Sequence, residues 1–309
     1  MVQPAFERPD AIVLSLTVHP WQRGLRADQW LATAIPRLGR GRAKQICDNG
    51  DLRVGEQRLK AGARVRPGEV HLWRLPPDSP ADVAQWPSVL LDAGALLVLN
   101  KPAGLAVHPS ASYVERTVTA WLSRCAPQAE PCHRLDVETS GVLLCARDRQ
   151  LEAQIKAAFV AGEISKRYRA VVEGRVEIGG VIERPLALAG GRGLVGIRMI
   201  PTPGAPAAVT RWRRLRQLSA ERAEVELTPL TGRQHQLRAH MALLGHPIVG
   251  DKLYGMGDAW FDAYTRGEEQ SQQPAWPRHL LHARHLDLPA TLGGHRFEAP
   301  TPADWPSDR

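Results

Sequence analysis

The spacing of apolar and polar residues divides the chain into a short front segment and a longer back segment. Apolar residues of the front segment recur at helical intervals, and the turn signals Asn49-Gly50 and Pro67-Gly68 separate them from short strand-like runs. The predicted elements, in chain order, are helices over 26–35 and 41–47 and strands over 52–54 and 69–73. Residues 1 to about 22 show no clear periodicity, and the proline-rich stretch 76–80 reads as a linker.

The back segment alternates apolar strand-like runs with helical patterns. Strands are predicted at 89–91, 96–100, 141–145, 168–172 and 223–227, and helices at 118–124, 151–159 and 234–244. Residues 190–193 and 255–278 read as flexible loops. This mixture predicts an α+β fold, a largely antiparallel mixed sheet with flanking helices and loops, behind a small N-terminal α/β domain. The expected boundaries are an extension over 1–23, the small domain over 24–75, a linker over 76–88 and the large domain over 89–309.

Charge and cysteine content narrow the class of partner. The 309 residues carry 40 Lys and Arg against 32 Asp and Glu, a formal net charge of +8. Such an excess suits a polyanion such as nucleic acid, although an ordinary basic protein has it too. The four cysteines form no Cys-x-x-Cys pair, and neither a signal peptide nor a bilayer-spanning apolar stretch is evident. We therefore expect a cytoplasmic protein that makes no contact with a membrane.

Basic residues crowd the predicted turn between the two front helices and the start of the second. Arg40, Arg42 and Lys44 could meet a phosphate backbone without reading bases, or could form an ordinary solvated surface. The order of features is more specific. Residues 25–31, 39–44, 49–54 and 65–69 resemble, over about residues 24–74, the small RNA-binding domain named after ribosomal protein S-four. Gly41 stands where that domain usually has Ser, and Gly55-Glu56 replaces its Asn-Gly turn.

The most informative segment of the chain is the run 133–144, His-Arg-Leu-Asp-Val-Glu-Thr-Ser-Gly-Val-Leu-Leu. It places the carboxylate of Asp136 in a polar loop that leads directly into an apolar strand. A loop that leads into a strand can hold a catalytic group in a fixed position, whereas most aspartates in loops only form turns or caps. The run resembles the signature His-Arg-Leu-Asp-x-x-Thr-Ser-Gly of the RluA-type pseudouridine synthases at every specified position.

Further segments resemble the same family in the expected order, so that the likeness runs from about residue 90 to 305. They are Asn100–Pro109, Lys166–Gly174, Leu230–His240 and Gly245–Gly255. The resemblance implies an RNA-modifying isomerase that breaks the N-glycosidic bond of uridine, turns the base and rejoins it through carbon. Because no atoms or electrons are gained or lost overall, the reaction requires no cofactor.

The resemblance also implies roles for individual residues. Asp136 corresponds to the catalytic aspartate, which either attacks the anomeric carbon or removes the proton at the ribose 2′ carbon; the residues leave both routes open. Arg233 corresponds to the arginine expected to pair with it, and Tyr168 to the tyrosine that lines the pocket. Arg134 is expected to enter the space vacated by the extruded base. His133, placed with Arg134 among the residues for RNA binding and base flipping, is expected to shape the loop and not to act as an acid or base.

Other functions fit the sequence less well. His235 and His240 are five residues apart, not the four that places two imidazoles on one helix face, and no glutamate follows the first, so no metal is expected. The glycine-rich run 190–193 lacks the Lys-Ser/Thr of a phosphate loop. A non-catalytic RNA-binding or ribosome-assembly protein remains the main rival. We expect a monomeric enzyme acting on structured RNA, with large-subunit (23S) ribosomal RNA favoured over transfer RNA.

Overall fold

In the front part of the chain, two helices pack on one face of a four-stranded antiparallel sheet. The computed structural model describes residues 12–35, 38, 40–74, 85–109, 116–190, 195–265 and 270–306. The chain divides into two units, Met1–Pro77 and Asp78–Arg309. The small unit contains β1 (Ile12–Val18), α1 (Ala27–Ala34), α2 (Arg40–Asn49), β2 (Leu52–Val54), β3 (Gln57–Arg58) and β4 (Gly68–Arg74), with strand order β1-β4-β2-β3.

The core of the small unit explains why these residues fold together. Trp30 and Leu31 of α1 and Cys47 of α2 are fully buried against Leu52 and Leu72 of the sheet. Burying such apolar side chains away from water is the main stabilising contribution in a domain of this size.

The predicted N-terminal extension over residues 1–23 is wrong for its described part, because residues 12–18 form β1. This strand pairs antiparallel with β4 along its whole length, from Ile12 opposite Arg74 to Val18 opposite Gly68. Leu14, Leu16 and Val18 turn towards the core while the residues between them face solvent. The strand period of two was therefore present in the sequence and was missed.

The large unit is built on one ten-stranded sheet, which confirms the predicted α+β class with a largely antiparallel sheet. The strand order is β10-β13-β14-β9-β15-β8-β6-β5, with β7 paired to β8 and β16 paired to β15, and only β8 and β15 run parallel among the described strands. Its elements are β5 (Ser88–Ala93), β6 (Leu96–Lys101), α3 (Val118–Cys125), β7 (Glu130–Pro131), β8 (Ser140–Ala146), α4 (Arg149–Ala161), β9 (Ser165–Glu173), β10 (Gly179–Glu183), β11 (Leu186–Leu188), β12 (Met199–Pro201), β13 (Val209–Ser219), β14 (Arg222–Pro229), α5 (Gln236–Leu243), α6 (Asp258–Thr265), β15 (Leu281–Asp287) and β16 (Arg296–Glu298). Strands β11 and β12 form a separate pair.

Strand β8 lies at the centre of the sheet and is buried along its whole length. Leu143 and Cys145 project to the face covered by α3, and Val142 and Leu144 project to the face covered by α4. A strand buried on both faces reads as a continuous apolar run, which is why its position was visible in the sequence. The segment that precedes β8 is therefore joined directly to a strand that is buried on both faces.

Residues 255–278, predicted to be a flexible loop, contain α6. The aromatic rings of this helix hold it together, since Trp260 stacks on Tyr264 with centroids 5.1 Å apart and Phe261 approaches the same ring. The Asp258 carboxylate accepts a hydrogen bond from the Val195 amide. The other predicted loop, 190–193, falls almost wholly on residues outside those described. None of the helices in the described ranges has the length and apolarity needed to cross a bilayer.

Gly141, the second residue of β8, provides a test of how closely β8 and β15 approach. It has φ +117°, and an added Cβ would lie 2.2 Å from the carbonyl oxygen of Ala283 on β15. We expect Gly141→Ala to lower the free energy of unfolding by at least about 2 kcal/mol, because the strained φ and the clash act together. Chemical denaturation followed by circular dichroism measures the change.

Gly94→Ala is the matched control for this prediction. Gly94 also has a positive φ, +59°, but open space surrounds its Cβ position. Its replacement should cost only the left-handed backbone penalty, about 1 kcal/mol. Equal losses in the two variants would show that the contact with Ala283 does not matter.

Candidate active site

Asp136 lies in the loop between β7 and β8, and the backbone of this loop is fixed from several sides. The Thr139 amide donates to the Asp136 carbonyl at 3.0 Å, and Leu135 is buried beside the core. Beneath the loop, the fully buried ammonium of Lys101 donates to three carbonyl oxygens, those of Pro102, Leu105 and Val137, at 2.7 to 3.0 Å. Because Val137 follows Asp136 directly, Lys101 ties the loop to the end of β6.

The carboxylate of Asp136 forms an ion pair with Arg238 of α5. Arg238 Nη1 lies 3.0 Å from Asp136 Oδ2. The same guanidinium makes two parallel hydrogen bonds to Asp251, from Nε to Oδ2 at 2.7 Å and from Nη2 to Oδ1 at 2.9 Å. The backbone amides of Leu253 and Tyr254 also donate to Asp251 Oδ1. Asp251 therefore holds Arg238 in one orientation, and Arg238 holds Asp136.

Burial and charge act in opposite directions on these groups. Burial raises the pKa of the Asp136 carboxyl, but nearby positive charge, led by the Arg238 guanidinium, outweighs it and leaves that pKa below its usual value. Burial likewise opposes ionisation of Asp251, yet Arg238 lowers the pKa of its carboxyl well below the ordinary range. Burial lowers the pKa of Arg238, and the two carboxylates more than reverse this. Asp136 is therefore ionised at neutral pH.

His235 stands beside this ion pair in a strained backbone conformation. Its φ is +50°, the only positive φ of a non-glycine residue among those described, and it lies immediately before α5. This conformation costs on the order of 1–3 kcal/mol and is found mostly at functional sites. His235 Nε2 lies 4.0 Å from Asp136 Oδ2, and Nδ1 lies 3.3 Å from the Tyr254 hydroxyl. Burial lowers the pKa of the imidazole to about 4, so the ring is neutral at pH 7.

A second set of polar contacts supports the residues that follow Asp136. Glu138 binds the Lys252 ammonium through one carboxylate oxygen and contacts the His279 side chain at 3.2 Å through the other. His279 Nε2 lies 2.8 Å from the Thr139 hydroxyl. Burial raises the pKa of Glu138, but its contacts with His279 and Lys252 outweigh burial and lower that pKa to about 2. Lys252 and His279 therefore hold Glu138 and Thr139, the residues that follow Asp136 in the loop.

The His133 side chain bonds and packs within the large unit. Its Nε2 accepts a hydrogen bond from the Leu144 amide at 3.0 Å, which places the ring proton on Nδ1. Its ring packs against Phe159 with centroids 4.8 Å apart. Burial, with the charge of Lys166 second, lowers the pKa of the imidazole to about 3. His133 therefore links the loop to β8 as a neutral ring.

A cavity of about 760 Å³ opens onto Asp136. Its wall includes Tyr168 of β9, whose ring packs against the apolar core on two sides. Burial, with the negative charge of Asp136 second, raises the pKa of the Tyr168 hydroxyl, which stays protonated at neutral pH. Arg134 and Arg233 line the same cavity and are exposed to solvent. The predicted residues of the large unit therefore surround one space of a size suited to a nucleotide.

The arginine that contacts Asp136 is Arg238, so the expected pairing with Arg233 is corrected by the structure. Arg233 donates from Nε to the Ala207 carbonyl at 3.0 Å. Arg238 lies on the buried side of α5 together with Leu237 and Met241. A signal was present in the sequence, since a charged residue at position 238 falls on the apolar stripe of its helix and needs a buried partner. Asp251 and His235 were also missed as members of this site.

The basic residues predicted to bind RNA in the small unit are held partly by local ion pairs. Arg40 Nε lies 3.7 Å from Asp28 Oδ2, and its side chain is 59% exposed. Lys44 pairs with Asp48 one helical turn away, at 3.0 Å. The side chain of Arg42 lies outside those described.

His240, one of the two histidines weighed above as a metal pair, uses both ring nitrogens in contacts within the protein. Its Nδ1 contacts the Thr210 hydroxyl and its Nε2 the Arg184 carbonyl.

Comparison with known proteins adds a family to this geometry. Residues 95–243 match the family described as RNA pseudouridylate synthase, a range that includes Asp136, Tyr168 and Arg238. Ribosomal large subunit pseudouridine synthase D of Zymomonas mobilis subsp. mobilis is 32% identical, covering 91% of this chain and 92% of that protein. The protein of the same name from Pseudomonas aeruginosa is 31% identical over 91% and 90%. The structure of human RNA pseudouridylate synthase domain containing 4 is 29% identical, with a TM-score of 0.56 over 70% of this chain and 89% of that chain.

The Asp136–Arg238–Asp251 set yields a stability prediction. Arg238→Met should lower the free energy of unfolding at pH 7 by about 3–5 kcal/mol, because it leaves the fully buried Asp251 carboxylate without its counter-charge. Adding Asp251→Asn should recover part of the loss. Arg233→Met, at an exposed position, is the control and should change stability by no more than about 0.5 kcal/mol. Similar losses for the two arginine variants in urea denaturation would contradict this account.

Proposed function

This chain belongs to the RNA pseudouridylate synthase family, and from that premise we propose that it isomerises uridines of large-subunit ribosomal RNA with Asp136 as the essential carboxylate. It is an isomerase that converts uridine in RNA to pseudouridine. The observation that carries the assignment of Asp136 is its position: an ionised carboxylate bound by Arg238 at the wall of a cavity of about 760 Å³.

The chemistry needs one carboxylate close to the sugar of the target uridine. Asp136 acts either as the nucleophile at the anomeric carbon or as the base at the ribose 2′ carbon. Both routes require the ionised form, and Arg238 supplies the charge that maintains it. Because Asp251 orients Arg238 through two hydrogen bonds, the carboxylate is held in place before the substrate binds, which lowers the cost of reaching the transition state.

The side chains that line the cavity suit a base that has been extruded from folded RNA. We assign Tyr168 to stacking against the uracil ring, since its side chain lines the cavity and its hydroxyl stays protonated. A base inside folded RNA must be extruded before it reaches Asp136. Because both side chains line the cavity and are exposed, we assign Arg134 to the vacated space and Arg233 to a neighbouring phosphate.

The choice of ribosomal RNA rests on the relatives and on the small unit. Proteins named ribosomal large subunit pseudouridine synthase D match nearly the whole chain. We assign the small unit, which resembles the S-four domain in sequence, to RNA binding through its basic helix α2, with Arg40, Arg42 and Lys44 as contacts. We expect the enzyme to act as a monomer in the cytoplasm, with transfer RNA as the competing substrate.

Removing the carboxylate of Asp136 tests the catalytic assignment. Asp136→Asn should slow pseudouridine formation by at least about 10³-fold, equivalent to about 4 kcal/mol of barrier, while RNA binding is retained. Release of tritium from RNA labelled at C5 of uridine gives the rate, and a filter assay gives the affinity. Asp92→Asn, which removes an exposed carboxylate paired with Arg147, is the control and should be fully active. Equal rates in wild type and Asp136→Asn would refute the assignment.

Mapping of pseudouridine in cellular RNA tests the substrate. Carbodiimide treatment and primer extension should show at least one pseudouridine in large-subunit ribosomal RNA that is present in the parent strain and lost in a deletion strain. The wild-type gene should restore it and the Asp136→Asn gene should not. A site lost from transfer RNA instead would overturn the ribosomal assignment. Identical maps in all strains would favour the non-catalytic rival.

A further inference from the structure

The small unit displays a tryptophan on its surface. Trp21 is 77% exposed, whereas Trp30 of the same unit is fully buried, and Trp21 lies in the 3-10 turn Pro20–Gln22 between β1 and α1. Its ring stacks face to face on that of His19, with centroids 4.4 Å apart and planes 3° apart. Exposure of so much apolar surface to water is unfavourable. Exposed aromatic surface of this kind commonly marks a binding site.

The turn that carries the two rings is held by its own hydrogen bonds and by the core. Gln22 Oε1 accepts from the His19 amide at 3.0 Å and from the indole nitrogen of Trp30 at 3.2 Å. Trp30 is fully buried, so the turn is bonded to the centre of the unit. The Gln22 amide also donates to the His19 carbonyl at 2.9 Å. Rings on a fixed backbone lose little conformational entropy when a ligand binds.

Exposed arginines flank this turn. Arg23 follows it directly, and the next residues run beside the segment that carries Arg64 and Arg66. Arg64 Nη1 donates to the Gly24 carbonyl at 2.9 Å, and the Gly24 amide donates to the Val65 carbonyl at 3.0 Å. The two segments are therefore bonded together, and they carry the exposed side chains of Arg23, Arg64 and Arg66. Cations around an aromatic platform suit a strand whose bases stack while its phosphates are neutralised.

We propose that His19 and Trp21 form a stacking platform for an unpaired base of RNA, with Arg23, Arg64 and Arg66 binding the adjoining phosphates. This inference rests on the proposed function, from which it takes RNA as the ligand. The base must be unpaired, because the faces of bases inside a duplex are already covered by their neighbours. The platform belongs to the small unit, whereas the residues that line the cavity at Asp136 belong to the large unit, and we assign the platform to substrate binding alone.

Two substitutions of Trp21 separate stacking from simple apolar contact. Trp21→Leu keeps apolar bulk without a π face, and Trp21→Phe keeps the π face. With the full-length protein and single-stranded oligouridylate as the probe, Trp21→Leu should weaken binding about tenfold and Trp21→Phe by no more than about twofold. Binding to a fully paired RNA duplex should be unchanged in both. His19→Ala should weaken oligouridylate binding in the same direction as Trp21→Leu.

The controls make the result decisive. Val54→Ala removes apolar surface from another exposed position of the same unit and should leave both affinities unchanged. The thermal unfolding midpoints of all variants should match that of the wild type, because Trp21 is mostly exposed. Three results would overturn the proposal: wild-type affinity in Trp21→Leu, equal weakening by Leu and Phe, or equal weakening towards the duplex.

The failure of this proposal and that of the proposed function give different results. If the platform binds substrate, Trp21→Leu should raise KM for ribosomal RNA about tenfold and leave kcat unchanged. A lower kcat with an unchanged KM would overturn the platform, because it would place Trp21 in the chemistry. Absence of pseudouridine formation by the wild-type protein would refute the proposed function, while the oligouridylate measurement would still decide the platform.

Discussion

One buried guanidinium joins the parts of the candidate active site. Arg238 comes from α5, Asp136 from the loop before β8, and Asp251 from the turn after α5. A charge removed from water is costly unless its partners replace the lost solvation, and here two carboxylates do so. The backbone amides of Leu253 and Tyr254 donate to Asp251 and stabilise its negative charge further. Because each member needs the others, the site forms only when all three segments are in place.

The sheet supports this arrangement through hydrogen bonds. β8 is buried on both faces and pairs in parallel with β15. One histidine just before β15 and one near its start bond to residues that follow Asp136 in the chain. His279 lies 2.8 Å from the Thr139 hydroxyl, and His282 lies 2.9 Å from the Ser140 hydroxyl. Lys101 fixes the other side of the loop through Val137. The Asp136 carboxylate therefore lies on a segment bonded from β6, β8 and β15, which is the support that its proposed role requires.

The elements found from sequence were those with the strongest local pattern. The continuous apolar run of β8 and the helical spacing of α4 and α5 could be recognised within a dozen residues. β1 was missed because its inward residues alternate with Val13, Ser15 and Thr17, of which only the last two are polar. α6 was missed because its helical spacing, at Trp260, Phe261 and Tyr264, covers little more than one turn. The strands β10 to β12 are short and partly exposed, so their sequence pattern is weak. Only their pairing with neighbouring strands identifies them as strands.

The sequence by itself determined the family and the α+β class and singled out Asp136 as the candidate carboxylate, since these depend on residue order and local periodicity. Only the tertiary structure decided which arginine binds Asp136. Arg233 and Arg238 are five residues apart, and the left-handed turn at His235 with the start of α5 directs Arg238 inward while Arg233 stays exposed. Asp251 could be found only in the same way, because a buried charge is matched by a partner that is near in space and distant along the chain.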